Sequence, residues 1–272
     1  MPPTTSSPSD FLATLADLEQ DLSWQSLDVD GHTWRWLDTG GTGPVGLLLP
    51  GSVGDGGMFA LTLQALRSRA RLLAVTYPTL SDPTHLADGL AKVMQHLQLA
   101  SAVIVGSSFA AYWVQFFGLR HPDRVQALVL GNGFVDGDDL ADNPLFARAY
   151  LESVSPQELH ATWLARVRAA PASPLQQLQE QMLSHRQTPE NLHARFVGVV
   201  RAVASPALSL PKSRITVLDC ADDPLIPPPV RDRLRACYPD ARHVSLPTGG
   251  HYPHLLNPQA YQDLLLQVLT KT

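Results

Sequence analysis

Apolar and polar positions along this chain fall into two regimes. Over residues 45–131, short and almost wholly apolar runs alternate with longer stretches whose apolar residues recur at helical spacing. The runs at 45–49, 71–76, 102–105 and 125–131 predict strands, and the stretches at 58–69, 82–97 and 109–119 predict helices. A strand without polar alternation is buried on both faces, and strands separated by helices make a parallel sheet. The alternation stops after residue 134 and resumes with a strand at 214–218, a helix at 229–237, a strand at 241–246 and a helix at 258–269.

Between these two blocks, residues 135–210 carry only helical periodicity. They are divided at Asn143-Pro144, Ser155-Pro156, Ala170-Pro171, Ser173-Pro174 and Thr188-Pro189, because the residue before proline is pushed out of helical conformation. Ahead of the first block, extended segments at 24–29 and 33–38 are joined by Asp30-Gly31, a hairpin signal. Residues 10–22 suit a short helix or a flap, and residues 1–9 suit disorder. The pattern as a whole predicts an α/β protein with a mostly parallel central sheet and helices on both faces. Its core is built from 10–134 and 211–272, and 135–210 form a helical cap inserted between the two.

Composition narrows the function. The chain has 272 residues and a net charge of −5, with no basic stripe to suit a nucleic acid. Two cysteines, Cys220 and Cys237, make neither a disulfide framework nor a metal-ligand spacing, so no metal is expected. Gly40-Gly41-Thr42-Gly43-Pro44 lacks the Lys-Ser/Thr ending of a phosphate loop and reads as a turn; no cofactor is expected. No apolar run approaches the ~18 residues of a membrane span, and Met1 to Pro8 has neither a basic nor an apolar leader region. The expectation is a cytoplasmic protein that meets a small molecule rather than a nucleic acid or a membrane. The sequence leaves its oligomeric state open.

The chemistry concentrates where strands end, since ligands of such sheets bind beyond the carboxyl ends. Gly106-Ser107-Ser108-Phe109-Ala110 joins an apolar strand to an apolar helix, with small residues two places either side of Ser108. A serine on such a sharp turn is lifted above the sheet, with the free N–H groups of the helix behind it. Serine near neutral pH needs a base, and the base needs a carboxylate to fix its tautomer. Candidates follow two later strands: Asp222-Asp223-Pro224, then Gly249-Gly250-His251. Of the two acids Asp223 is preferred, with Asp222 its neighbour and Asp136 an outside alternative. After the 45–49 strand, Pro50-Gly51-Ser52-Val53-Gly54-Asp55-Gly56-Gly57 can turn backbone N–H groups into the site. The Phe109 N–H with that of Ser52, or failing it Val53, makes an oxyanion hole. Met58 and Phe59, with Phe146, Tyr150, Trp163, Met182 and Phe196 of the cap, are candidates to line an acyl pocket. His121 reads as a helix end, His254 as a capping or packing residue, and Cys220 as a small buried one.

These turns together resemble the α/β-hydrolase fold superfamily from about residue 24 onward. Within it the chain is similar to the maspardin family through Leu48-Leu49-Pro50, Ala74-Val75-Thr76-Tyr77-Pro78, His96-Leu97-Gln98-Leu99, Leu128 to Phe134, and Tyr238 to Pro253. The superfamily resemblance implies a serine hydrolase, an esterase acting through an acyl-enzyme on a small, fairly apolar ester or related acyl compound. The maspardin resemblance implies instead a binding or adaptor protein, one in which the histidine is missing. Here His251 is present. Two departures from the superfamily pattern are Pro50, where many members carry histidine, and Ala110, where glycine is usual.

Overall fold

The computed structural model describes residues 10–271; the disorder expected for residues 1–9 lies outside them. Among the described residues, eight strands form one sheet. They are β1 (Gln25–Val29), β2 (His32–Asp38), β3 (Val45–Leu49), β4 (Arg71–Thr76), β5 (Ala102–Ser107), β6 (Val125–Gly131), β7 (Ile215–Cys220) and β8 (Arg242–Leu246). Their spatial order is β1-β2-β4-β3-β5-β6-β7-β8. The β1–β2 hairpin runs antiparallel and joins β4 antiparallel; every other pairing is parallel. The hairpin turn lies at Asp30 and Gly31, both with positive φ, as a tight two-residue connection requires.

The apolar runs are explained by the pleat. Successive side chains of a strand face opposite sides, and each side here has its own core. Leu47, Leu49, Ile104, Leu128, Leu130 and Val217 belong to one cluster. Leu48, Val103, Val105, Val129 and Leu218, which lie between them, belong to the other. The first side is covered by α3 (Pro83–His96) and α4 (Phe109–Arg120), and by α9 (Pro228–Cys237) through Val230 and Leu234. The second is covered by α1 (Asp10–Asp21), α2 (Ala60–Leu66) and α11 (Pro258–Lys271). Residues 10–22, open between helix and flap in the sequence, are helical through Asp21 as α1, whose Phe11, Leu15 and Leu18 are buried. Helix α4 is apolar on nearly every side because it is buried on nearly every side.

The stretch between β6 and β7 holds α5 (Arg148–Ser153), α6 (Pro156–Ala169), α7 (Pro174–His185) and α8 (Pro189–Val200). Three of these start alike: Ser155, Ser173 and Thr188 each accept a backbone N–H of the first turn, and a proline follows each at the first helical position. Short helix α10 (Pro253–Leu256) links the end of the β8 loop to α11. Among the described residues, no helix is long and apolar enough to cross a membrane, and no three His, Cys, Asp or Glu side chains gather as a metal site.

Candidate active site

Strand β5 ends at Ser107 and α4 begins at Phe109, so the chain turns at Ser108 alone. Its φ of 53° and ψ of −118° are a conformation that costs a residue with a side chain on the order of 1–3 kcal/mol. Two features hold it. The Ser108 N–H donates to the Gly131 carbonyl at the end of β6, at 2.8 Å. Gly106 leaves room for the helix to fold back: a Cβ there would stand 2.6 Å from the Ala110 carbonyl carbon. Ala110 itself, the departure from the usual glycine, is accommodated fully buried.

The strand ends bring the remaining candidates to this serine. Ser108 Oγ lies 2.8 Å from His251 Nε2, and His251 Nδ1 lies 2.9 Å from Asp223 Oδ2. A carboxylate only accepts, so the proton of the neutral ring resides on Nδ1 and Nε2 is left bare toward the Ser108 hydroxyl. Asp223 is saturated with donors. Its Oδ1 accepts from the N–H groups of Leu225 and Ile226 at 2.8 and 3.2 Å, and its Oδ2 from Asn132 Nδ2 at 2.6 Å. Burial alone would raise its pKa, but the neighbouring His251 and these hydrogen bonds outweigh burial and hold the carboxyl below its ordinary range.

Asp222 faces the other way and accepts from the N–H groups of Gly249 and Gly250, shaping the loop that carries His251. Asp136 caps a short 3₁₀ turn and pairs with Arg233 at 2.6 Å, taking no part in the site. Asn132 is the residue that sequence reasoning missed. At the tip of β6, with φ 48°, it bonds both Asp223 and the Gly250 carbonyl, at 2.6 and 3.0 Å. The signal was present: asparagine tolerates left-handed backbone, and Gly131-Asn132-Gly133 follows a core strand.

The loop after β3 runs beside the serine. Gly51 is so close that an added Cβ would meet Ser108 Cβ at 3.0 Å. On the far side of the loop the Tyr77 hydroxyl lies 3.0 and 2.9 Å from the Pro50 and Gly51 carbonyl oxygens. The Phe109 N–H heads α4 and has no acceptor within its own helix. A cavity of 260 Å³ opens over Ser108 and His251, and Ser52, Val53, Met58, Phe146, Trp163 and Phe196 are among its lining residues.

Three pocket expectations fail. Phe59 is fully buried behind the cavity, its ring 4.7 Å from that of His254, because the 3₁₀ turn Gly56–Phe59 points Met58 inward and Phe59 into the core. Met182 is also fully buried in the core on that side, and Tyr150 lies outside the cavity at 42% exposure. His121 ends α4 and contacts Asp88 as expected of a helix end. Cys220 is buried and does not reach the cavity. His254 does line it, at 3% exposure, and among the described residues neither of its ring nitrogens has a hydrogen-bond partner.

A serine on a strained strand-to-helix turn, over a mostly parallel sheet of this order and beside a histidine and an acid from later strand ends, defines the α/β-hydrolase architecture. The chain belongs to the alpha/beta hydrolase family, whose model matches residues 47–264. Among curated relatives it is 24% identical to maspardin of Homo sapiens over 263 residues, covering 89% of this chain and 80% of that protein. An esterase from Thermogutta terrifontis superposes with a TM-score of 0.72 at 22% identity, covering 92% of this chain and 98% of the other. The enol-lactonase of Burkholderia xenovorans gives 0.71 at 17% identity, covering 90% and 100% respectively. At these identities the structural likenesses speak to the fold.

Proposed function

We propose that this protein is a serine hydrolase that cleaves small, fairly apolar esters or related acyl compounds, with Ser108 as nucleophile, His251 as base and Asp223 as the orienting acid. The observation that carries the reading is the unbroken chain of hydrogen bonds from Ser108 Oγ through His251 to Asp223, at 2.8 and 2.9 Å. Ser108 Oγ attacks the acyl carbon while His251 Nε2 takes its proton, and Asp223 stabilises the imidazolium that forms. The carbonyl oxygen becomes an oxyanion, which the N–H groups of Phe109 and Ser52 hold. As the tetrahedral species collapses, the bond to the leaving oxygen breaks and His251 returns the proton to it. Water then attacks the acyl-enzyme with His251 again as base, releasing the acid and restoring Ser108.

The helices of 135–210 act as a cap. Phe146, Trp163 and Phe196 from that segment, with Met58, offer an apolar enclosure, and its 260 Å³ suits a short acyl group. A fluorophosphonate probe is expected to label the protein at a single peptide containing Ser108, and short aryl esters are expected to turn over faster than long ones. The maspardin likeness favours a second reading, a binding or adaptor protein in which the serine is unreactive. Folded protein that takes no label and hydrolyses no activated ester across chain lengths and pH would decide for that reading.

A further inference from the structure

The oxyanion loop is held from behind by the helical segment between β6 and β7, and two of that segment's side chains, Arg195 and Gln187, bond its backbone. Arg195 of α8 is fully buried, yet among the described residues it forms no ion pair with a carboxylate. Its Nη1 donates to the carbonyls of Gly51 and Gly54 at 2.9 and 2.7 Å, and its guanidinium lies 3.9 Å over the Tyr77 ring. Asp55, the carboxylate within this loop, is engaged by Arg186 at 2.9 Å. Gln187, just ahead of α8, donates from Nε2 to the Ser52 carbonyl at 2.7 Å and accepts the Gly54 N–H on Oε1 at 2.8 Å. Burying a guanidinium against carbonyls and a ring is costly, and stability alone is better served by an apolar side chain of similar size. A role beyond packing is therefore called for.

Peptide geometry supplies it. In a trans peptide the C=O and the following N–H point in opposite directions, and the described residues contain no cis peptide. The Gly51 carbonyl points at Tyr77 and Arg195, so the Ser52 N–H points away from them. The Ser52 carbonyl points at Gln187, so the Val53 N–H likewise points away from it. Gly51 itself lies against Ser108. A cation on the Gly51 carbonyl also polarises that peptide, which makes the Ser52 N–H a stronger donor.

We infer that Arg195 and Gln187 are positioning residues of the oxyanion hole: by fixing the carbonyls of Gly51, Ser52 and Gly54 they set the Ser52 N–H toward the acyl oxygen. The inference rests on the hydrolase reading above. It makes the cap segment more than a wall, because its hydrogen bonds to the loop after β3 set the backbone donor used at the transition state.

The test is kinetic, on full-length protein with a short aryl ester. Arg195→Met keeps the stem and removes the charge; it is expected to lower kcat by about 10²–10³, the range of a lost oxyanion donor, with KM changed by no more than about twofold. Arg195→Lys, which keeps the charge but not the fork, is expected to recover about tenfold of that loss. Thermal unfolding of each variant is followed alongside. If Arg195→Met does not fold, Gln187→Leu carries the test, with an expected kcat loss of at least about tenfold at steady KM. An active wild type whose variants keep kcat within about twofold, or lose activity only in proportion to lost folded protein, overturns this inference alone. A wild type that takes no fluorophosphonate label and cleaves no ester removes the hydrolase reading, and this inference with it.

Discussion

His254 offers the sharpest quantitative test of the packing around the site. Its ring is 3% exposed, lies tilted against Phe59 at 4.7 Å, meets Tyr252 edge-on and contacts Tyr261 at 5.7 Å. Burial, with a smaller contribution from His251, lowers its pKa to about 3. In the unfolded chain the same group titrates near 6.5. Between these values the unfolded state binds a proton that the folded state refuses, so stability falls as pH drops below about 6.5, by about 1.4 kcal/mol per unit. From pH 8 to pH 5 the loss integrates to about 2 kcal/mol from this residue. His254→Leu removes the titrating group and leaves an apolar side chain in an apolar setting. Urea unfolding of wild type and variant at both pH values gives four free energies. Whatever offset the substitution causes at pH 8 cancels in the difference, and the variant is expected to lose about 2 kcal/mol less on acidification. Equal losses in the two proteins would refute the reasoning, and would mean that His254 is hydrated or paired in the folded state.

Asp223→Asn is expected to lower kcat by about 10⁴ with little change in KM, since the amide cannot both accept from Leu225 and Ile226 and hold His251 in its Nδ1–H form. Asp222→Asn, assayed the same way, should cost far less because it touches only the glycine amides of the loop. Ser108→Ala is expected to abolish probe labelling and to reduce kcat by on the order of 10⁶, whereas Ser107→Ala should keep both; an adduct mapped to Ser107 would undo the elbow assignment. The Asp223 carboxyl, held below its ordinary range, contributes stability that is complete above its unfolded pKa of about 3.9 and is lost as pH falls through the lower folded value. Acid unfolding monitored below about pH 4 should therefore be flatter in Asp223→Asn than in wild type.

Much of this protein was determined locally, and those parts were legible in the chain. The almost wholly apolar runs at 45–49, 71–76 and 125–131 match β3, β4 and β6 residue for residue, because a strand buried on both faces carries a continuous apolar stretch rather than an alternating one. The prolines that divide 135–210 are local signals too, and Pro156, Pro174 and Pro189 stand first in α6, α7 and α8 because proline suits a first turn and no later one. Gly106, Ser108 and Ala110 announced a turn whose backbone only small neighbours permit. The order Ser108, Asp223, His251 followed from strand ends that a parallel sheet brings to one edge.

What required the tertiary structure was everything set by groups far apart in sequence. The choice of Asp223 over Asp222 turns on which carboxylate meets Asn132, 91 residues away, and which meets the amides of the β8 loop. Phe59 and Met58 are adjacent and both apolar, and only the packing of the 3₁₀ turn against His254 sends one to the core and the other to the cavity. Arg195 reads in the sequence as one more helical arginine. Its burial against Gly51, 144 residues earlier, has no local signature, because a buried charge is tolerated only where the whole fold supplies its acceptors.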